Sequence, residues 1–343
     1  MDLFQKCHDF TDAIALREQG AYPYFIPLDK NEGTEVIYEG RRIIMCGSNN
    51  YLGLTTHPKV RQAAINAIAE YGTSCTGSRF LNGNMTMIED LEKELAAWVG
   101  KEAALVFSTG MQTNLGTISA LVGKDDIIIM DKEDHASIVD GAFLSGGKIE
   151  RFRHNDMDHL ERVLKSLPEE KGKLLVVDGL FSMEGDIAPL PRMVELCEEY
   201  NVRLMVDDAH AFGVLGGGRG TAAHFSLTDK VDLIMSTFSK SMASIGGFIA
   251  GDFAVVDYIK HHARSLIFSA SIPPANTATV LAALQVMKEE PERIERVNQN
   301  GAFMRQGFKK LGFDTGASCT PVVPIIIGDD ALTFESWRRL FEE

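Results

Sequence analysis

Lys240 stands in TFSKS (237–241), directly after the apolar run DLIM and among hydroxyls, with no carboxylate in the immediate segment. A lysine on the floor of a cleft loses solvation, which frees its amine to act as a nucleophile toward a carbonyl. Thr237 and Ser239 flank it with donors suited to a phosphate. The plain alternative is a solvated loop lysine. Asp207 closes the run RLMVD (203–207), where a carboxylate is costly unless it meets a cation or strong donors. A protonated pyridine nitrogen would be such a partner, and the pairing would keep the ring electron-poor. Capping of the next turn is the competing role, and Asp208 is equally placed for it. His210, three residues on, can reach a ring hydroxyl or cap a loop. His135, in DHASIVDG (134–141), can stack on a flat ring and carry a proton, or serve structure alone. In STGMQTN (108–114), Gly110 and Met111 would open a helix with free backbone N–H groups, which makes an anion site.

The elements that must position these residues are legible as short apolar runs. ALVF (104–107), DIIIMD (126–131), LLVVDG (174–179), RLMVDD (203–208), DLIMST (232–237) and GGFIAGD (246–252) lack polar alternation, so they read as strands buried on both faces. Helical patterns lie between them. KVRQAAINAIAEYG ends at Gly72, MIEDLEKELAAWVG ends at Gly100, and LPRMVELCEEYN covers 190–201. This β-α-β rhythm predicts a largely parallel sheet covered by helices, with ligands gathered at the carboxyl ends of the strands. The candidate residues all follow strand ends, so they share one edge of one sheet. A phosphate turn, a stacking ring, a carboxylate for a pyridinium and a lysine for an aldehyde together describe pyridoxal phosphate.

At 343 residues the chain suits one large domain and a smaller companion. A long helical stretch (about 273–312) leads to FDTGASCTPVVPIIIGDD, read as the strand-rich start of the second domain. The division expected is 1–45 for an N-terminal helix and small strand segment, 46–289 for the cofactor-binding large domain, and 290–343 for the start of a C-terminal domain. Lys and Arg total 34 against 48 Asp and Glu, a net charge of −14, which speaks against nucleic acid or an anionic membrane as partner. No run approaches a membrane span, and the N-terminus has no signal-peptide core. Five widely spaced cysteines without C-x-x-C fit a reducing cytoplasm. HNDMDH (154–159) and His261–His262 lack a third ligand at metal spacing, so no metal site is expected. GGGRG (216–220) lacks the spacing of a P-loop or dinucleotide fingerprint and reads as a mobile surface loop.

These motifs are similar to those of a known family. GSNNYLGL (47–54), YGTSCTGSRFLNGN (71–84), FSTGMQTN (107–114), DGLFSMEGD (178–186), VDDAHAFGVLGGGRG (206–220), TFSKSMASIGGF (237–248) and IFSASIPP (267–274) carry the resemblance, with DHASIVDG beside them. From about Gly20 onward the chain resembles the α-oxoamine synthases, and among these the soluble bacterial serine palmitoyltransferases. The resemblance implies an α/β, fold-type I pyridoxal phosphate-dependent transferase of the aspartate aminotransferase-like kind, with a mainly parallel sheet and a smaller C-terminal α+β domain. It implies that Lys240 forms the internal aldimine, that His135 stacks on the ring and that Asp207 meets the pyridine nitrogen. His210 and Ser182 match positions near the ring hydroxyl. Gly110, Met111, Thr237 and Ser239 match the phosphate cradle, and Asn50 a position near the amino-acid carboxylate. Ser269 resembles a phosphate contact given by the other subunit, which implies a homodimer with interfacial active sites.

The activity implied is condensation of L-serine with a long-chain acyl-CoA such as palmitoyl-CoA, releasing CO2 and CoA and giving 3-ketodihydrosphingosine. A sister activity with L-alanine or glycine, or a catalytically weak cofactor-binding protein, are the alternatives. The sequence departs from the family at Asp208, where Glu is usual, and at Ala211, where Ser or Gly is usual. The family also continues into a P-P-x-x-P loop and a carboxylate-anchoring arginine. Arg338 and Arg339 do not match that motif, so the small domain is expected to be cut short at Glu343.

Overall fold

The computed structural model describes residues 2–343. Its strands are β1 (Lys30–Asn31), β2 (Glu35–Tyr38), β3 (Arg41–Ile44), β4 (Ala103–Phe107), β5 (Ile127–Asp131), β6 (Lys148–Phe152), β7 (Lys173–Asp178), β8 (Arg203–Asp207), β9 (Leu233–Thr237) and β10 (Gly247–Gly251). The chain divides into two compact units.

The larger unit, Ser48–Gln306 with Ala317–Pro324, holds a seven-stranded sheet in the order β4-β10-β9-β8-β7-β5-β6. Strands β6, β5, β7, β8 and β9 pair in parallel, and β10 alone runs against its neighbours β9 and β4. The apolar runs explain this placement. In β7, Leu175 and Val177 face one buried cluster while Leu174 and Val176 face the other. In β5, Ile127 and Ile129 face the first and Ile128 and Met130 the second. Successive side chains leave a strand on opposite faces, so a run apolar at every position needs cover on both. Helices supply it, including Thr86–Val99, Gly110–Leu121, Ala136–Ser145, Leu190–Glu199 and Pro274–Glu289.

Three expectations change. β6, with the sequence KIERF, was not among the apolar runs; it is an edge strand, and its Lys148 and Glu150 side chains stay outside the core. The stretch 273–312 forms two helices, Pro274–Glu289 and Glu292–Lys310, because Pro291 cannot continue the first. Residues 313–329 contain no strand. Pro321 and Pro324 remove two ladder donors there, and side chains and turns satisfy part of the backbone instead, as where Cys319 N–H and Thr320 Oγ1 both donate to the Gly185 carbonyl.

The smaller unit comprises Met1–Gly47, Gly307–Gly316 and Ile325–Glu343. It contains the antiparallel sheet β1-β2-β3 and the helix Asp330–Glu342. Arg41 donates to the Phe341 and Glu342 carbonyls at 3.2 and 2.7 Å, closing the helix C-terminus, and Tyr38 meets the Phe341 ring edge-on at 5.0 Å.

Candidate active site

A cavity of about 360 Å³ opens at the carboxyl ends of β7, β8 and β9 in the larger unit. Lys240 lies in the hairpin loop between β9 and β10, held by the buried anchors Phe238 and Met242. Thr237 Oγ1 donates to the Gly246 carbonyl at 3.0 Å and accepts from Ser239 Oγ at 2.9 Å, and Phe238 N–H donates to the same carbonyl. The loop therefore presents Lys240, Thr237 and Ser239 to one cavity. Burial pushes the Lys240 amine below its ordinary range, with Asp207 and Asp178 acting against the shift.

Asp207 ends β8 and stands in register with Asp178 at the end of β7. Its Oδ2 accepts from Asn114 Nδ2 at 2.7 Å and its Oδ1 from Ala209 N–H at 2.9 Å. Burial first, then the adjacent Asp207 carboxylate, lift the Asp178 carboxyl well above the usual range. His210 Nδ1 lies 2.8 Å from the Tyr51 hydroxyl. Burial, followed by Lys240 and His135, pushes the His210 imidazole down to about 3, so its ring is neutral. Burial also raises the Tyr51 phenol, which keeps its proton and donates to Nδ1.

His135 caps the helix Ala136–Ser145, its Nδ1 accepting from Ser137 N–H at 3.2 Å. Gly110 begins the helix Gly110–Leu121, and Thr109 Oγ1 caps it by accepting from Gln112 N–H at 3.1 Å. A Cβ on Gly110 would sit 2.7 Å from Thr237 Oγ1 and 2.9 Å from Thr237 Cβ, so only glycine lets the helix N-terminus meet the β9 hydroxyl. Ser182 lies on the loop after β7, closed by the bridge Leu180–Ile187. His154, from HNDMDH, ties that loop to β5, with Nε2 3.0 Å from Asp186 Oδ2 and Nδ1 3.1 Å from Asp131 Oδ1. Burial works against its charge, but the two carboxylates outweigh burial and raise its pKa.

Lys240, His135, Asp207, His210, Gly110, Met111, Ser182, Thr237 and Ser239 all line the cavity. Asn50 and Ser269 are not among the lining residues. Asn50 spends its amide on its own turn, donating to Thr55 Oγ1 at 2.9 Å and accepting from Leu54 N–H at 3.1 Å, which fixes the segment carrying Tyr51. Ser269 Oγ accepts from Gln112 Nε2 at 2.8 Å. Asp178 and Asn114 also line the cavity and were missed by sequence reasoning. Asp178 carries the same signal as Asp207, a carboxylate closing a buried run. Asn114 is a polar residue one turn beyond Gly110 in a helix otherwise rich in small and apolar residues. Tyr51 gave no signal, standing 159 residues from His210 in the chain.

GGGRG is not a free surface loop. Gly218 and Gly220 are buried, and a Cβ on Gly220 (φ +101) would lie 2.0 Å from Asp208 Oδ2. The glycines let the backbone close over Asp208, whose Oδ2 accepts from Thr221 N–H at 3.0 Å.

The donor set fits pyridoxal phosphate. The bare Gly110 Cα leaves a cradle of backbone N–H and hydroxyl groups for the phosphate, Asp207 offers a buried acceptor for a ring N–H, and Lys240 an amine made less basic by burial for the aldehyde.

Comparison with known proteins agrees. Residues 41–343 match the family described as aminotransferase class I and II. The chain is 52% identical over 342 residues to a serine palmitoyltransferase of Sphingobacterium spiritivorum, covering 99% of this chain and 86% of that one. An 8-amino-7-oxononanoate synthase of Bacillus pumilus is 44% identical over 328 residues, covering 95% of this chain and 84% of the relative. Among solved structures, a serine palmitoyltransferase from S. paucimobilis with a bound PLP–myriocin aldimine superposes with a TM-score of 0.97 at 34% identity, covering 100% of this chain and 90% of that one. The chain therefore belongs to the aminotransferase class I and II family of fold-type I enzymes, in the α-oxoamine synthase group that its serine palmitoyltransferase and oxononanoate synthase relatives represent.

Proposed function

We propose that the protein is a pyridoxal phosphate-dependent acyltransferase that condenses L-serine with a long-chain acyl-CoA such as palmitoyl-CoA. A bond forms between the serine Cα and the thioester carbonyl carbon, CoA leaves as the thiol, and the serine carboxylate leaves as CO2, giving 3-ketodihydrosphingosine. The observation that carries this reading is the cavity itself, whose lysine, two histidines and buried carboxylate lie in a chain half identical to a serine palmitoyltransferase.

When bound, the cofactor supplies an electrophilic aldehyde and an electron-poor ring that withdraws electrons from the substrate Cα. Lys240 holds and moves the Cα proton from the cavity floor, where burial makes its amine less basic than an ordinary lysine. Asp207 would accept from the ring N–H and so keep the ring electron-poor. His135 would cover the ring, and neutral His210, fixed by Tyr51, would offer its remaining ring N–H to the ring hydroxyl, as Ser182 would its own hydroxyl from the same cavity. Gly110, Met111, Thr237 and Ser239 bind the phosphate, while Asn50 acts near the amino-acid carboxylate and shapes the Tyr51 turn.

A homodimer with interfacial sites is part of this proposal. Its support is that Ser269, held on Gln112, lies outside the cavity built by its own chain, next to Phe268, which is 75% exposed. A cytoplasmic location is proposed from the five free cysteines. No helix among the described residues is long and apolar enough to cross a membrane.

The test is the absorbance of the purified, cofactor-loaded protein titrated with L-serine, L-alanine and glycine, followed by CoA release with palmitoyl-CoA. Serine should shift the spectrum at the lowest concentration and support thiol release. A response confined to alanine or glycine would assign the sister activity, which the oxononanoate synthase relative favours as the second reading. A bound chromophore without CoA release would leave only a binding protein.

A further inference from the structure

Asn114 is fully buried, lines the cavity, and spends both hydrogens of its amide nitrogen on different partners. One goes to Asp207 Oδ2 at 2.7 Å and the other to Ser137 Oγ at 2.8 Å. Its own Oδ1 is buried without a partner among the described residues. A flipped amide would put that oxygen against the Asp207 carboxylate, so the observed orientation is the one electrostatics requires.

The chain of donors continues to His135. Ser137 N–H donates to His135 Nδ1 at 3.2 Å, the long end of the hydrogen-bond range, so by itself it favours a lone pair on Nδ1 only weakly. The Ser137 hydroxyl, 2.8 Å from the same nitrogen, accepts from Asn114, which occupies one of its lone pairs and leaves its hydrogen free to go to Nδ1. Every bond in the series runs in one direction, which leaves the proton of the neutral imidazole on Nε2. Among the described residues, Asn114 hydrogen-bonds both to Asp207 and to the Ser137 hydroxyl at His135 Nδ1, whereas Asp178 meets the cap at the His135 backbone N–H.

We propose that Asn114 is a positioning residue that couples the two ring-facing groups, orienting the Asp207 carboxylate with one amide hydrogen and, through Ser137, setting His135 in the Nε2–H tautomer with the other. With Ala209 on Oδ1 and Asn114 on Oδ2, the Asp207 carboxylate is pinned in one plane. The unsatisfied Oδ1 is the cost of this double donation, which a residue placed only for packing would not carry. The role toward the cofactor rests on the function proposed above; the tautomer does not.

The experiment uses the full chain labelled with ¹⁵N-histidine, with and without pyridoxal phosphate. His135 is assigned by its loss in His135→Gln, and its ring tautomer is read by NMR. The cofactor-free wild type should show the Nε2–H pattern. Ser137→Ala, which keeps the backbone N–H, should give mixed tautomers, and Asn114→Asp, which redirects the Ser137 hydroxyl and faces Asp207 with a second acceptor, should do the same. In the loaded protein Asn114→Asp should shift the visible maximum and weaken cofactor binding by about tenfold, the scale typical of lost outer-layer partners. Ser137→Ala, which leaves the Asn114–Asp207 bond in place, should mix the tautomers as fully as Asn114→Asp while costing less cofactor affinity, a split that a general loss of packing would not produce. An Nδ1–H ring in the wild type, or an unchanged tautomer in Ser137→Ala, overturns the proposal, even if Asn114→Asp fails to fold. Failure of the wild type to bind pyridoxal phosphate would overturn the proposed function and leave the tautomer result standing.

Discussion

The sheet of the larger unit has a cavity at each edge, and the larger one is at the edge without the chemistry. At the amino-terminal edge about 630 Å³ opens among Lys101, Asp126, Lys173, Arg203, Asp232 and Asp252, against about 360 Å³ at the carboxyl edge. These six charged residues are spent on partners within the protein. Lys101 Nζ donates to the Thr228 and Val231 carbonyls at 2.6 and 2.5 Å, and Lys173 Nζ to the Pro168 and Glu169 carbonyls at 3.2 and 3.3 Å. Arg203 pairs with Asp232 at 3.0 Å, and Asp126 and Asp252 accept from the Gly123 and Ala254 backbone N–H groups. At the carboxyl edge the reverse holds. Lys240 is depressed by burial, Asp178 is raised by burial and Asp207, and a helix N-terminus opens beside hydroxyls. Burial lowers the Lys101 amine at the amino edge as well, but that amine is bound to two carbonyls, so perturbed groups still free to act mark the functional edge better than volume does.

Paired substitutions test that contrast most strongly. Lys240→Ala should cut CoA release by on the order of 10³-fold. Lys173→Met, which removes a buried ammonium at the opposite edge, should change turnover by less than about twofold. Activity lost equally in both would break the contrast. Next in size is Gly110→Ala. Its Cβ, 2.7 Å from Thr237 Oγ1, forces the phosphate cradle open. Overpacking of this kind costs about 1–3 kcal/mol, or roughly a tenfold loss in cofactor affinity, measured by fluorescence titration.

Asp208 sharpens the comparison through pH. Burial, followed in the opposite sense by the Thr221 donors, raises its carboxyl from 3.8 to about 7. The folded state therefore binds a proton that the unfolded state releases, so this stability is complete below 3.8 and lost as pH rises through about 7. Thermal unfolding of the wild type relative to Asp208→Asn should show that decline, with a flatter profile in the variant. The smallest effect is expected at the amino edge. Arg203 is 75% exposed in its ion pair, so Arg203→Gln should shift stability by less than about 1 kcal/mol and leave cofactor binding unchanged.

Much of this contrast was legible in the sequence, and the residues show why. Lys240, Asp207, His135 and the Gly110 turn each follow an apolar run, and a parallel sheet brings such positions to one edge. Asp178 had the same signature as Asp207 and was passed over for the hydroxyls that follow it. Asn114 was quoted within its motif without a role, because nothing local says that a helix residue will donate to a strand end 93 positions away. GGGRG looked like a loose loop because its purpose, room for Asp208, lies in a contact between segments. β6 was missed because an edge strand is only half covered and here carries charge at three of its five positions.

The sequence by itself determined which segments are strands buried on both faces, the edge on which their polar successors collect, and the chemistry those residues share. It could do so because burial and period are local properties of a run of side chains. Only the tertiary structure decided the proton inventory. It paired Asp178 with Asp207 by register, gave Tyr51 to His210, and threaded Asn114 between Asp207 and the His135 cap. Protonation and tautomer depend on distances of a few ångströms between groups far apart in the chain, and only packing sets those distances.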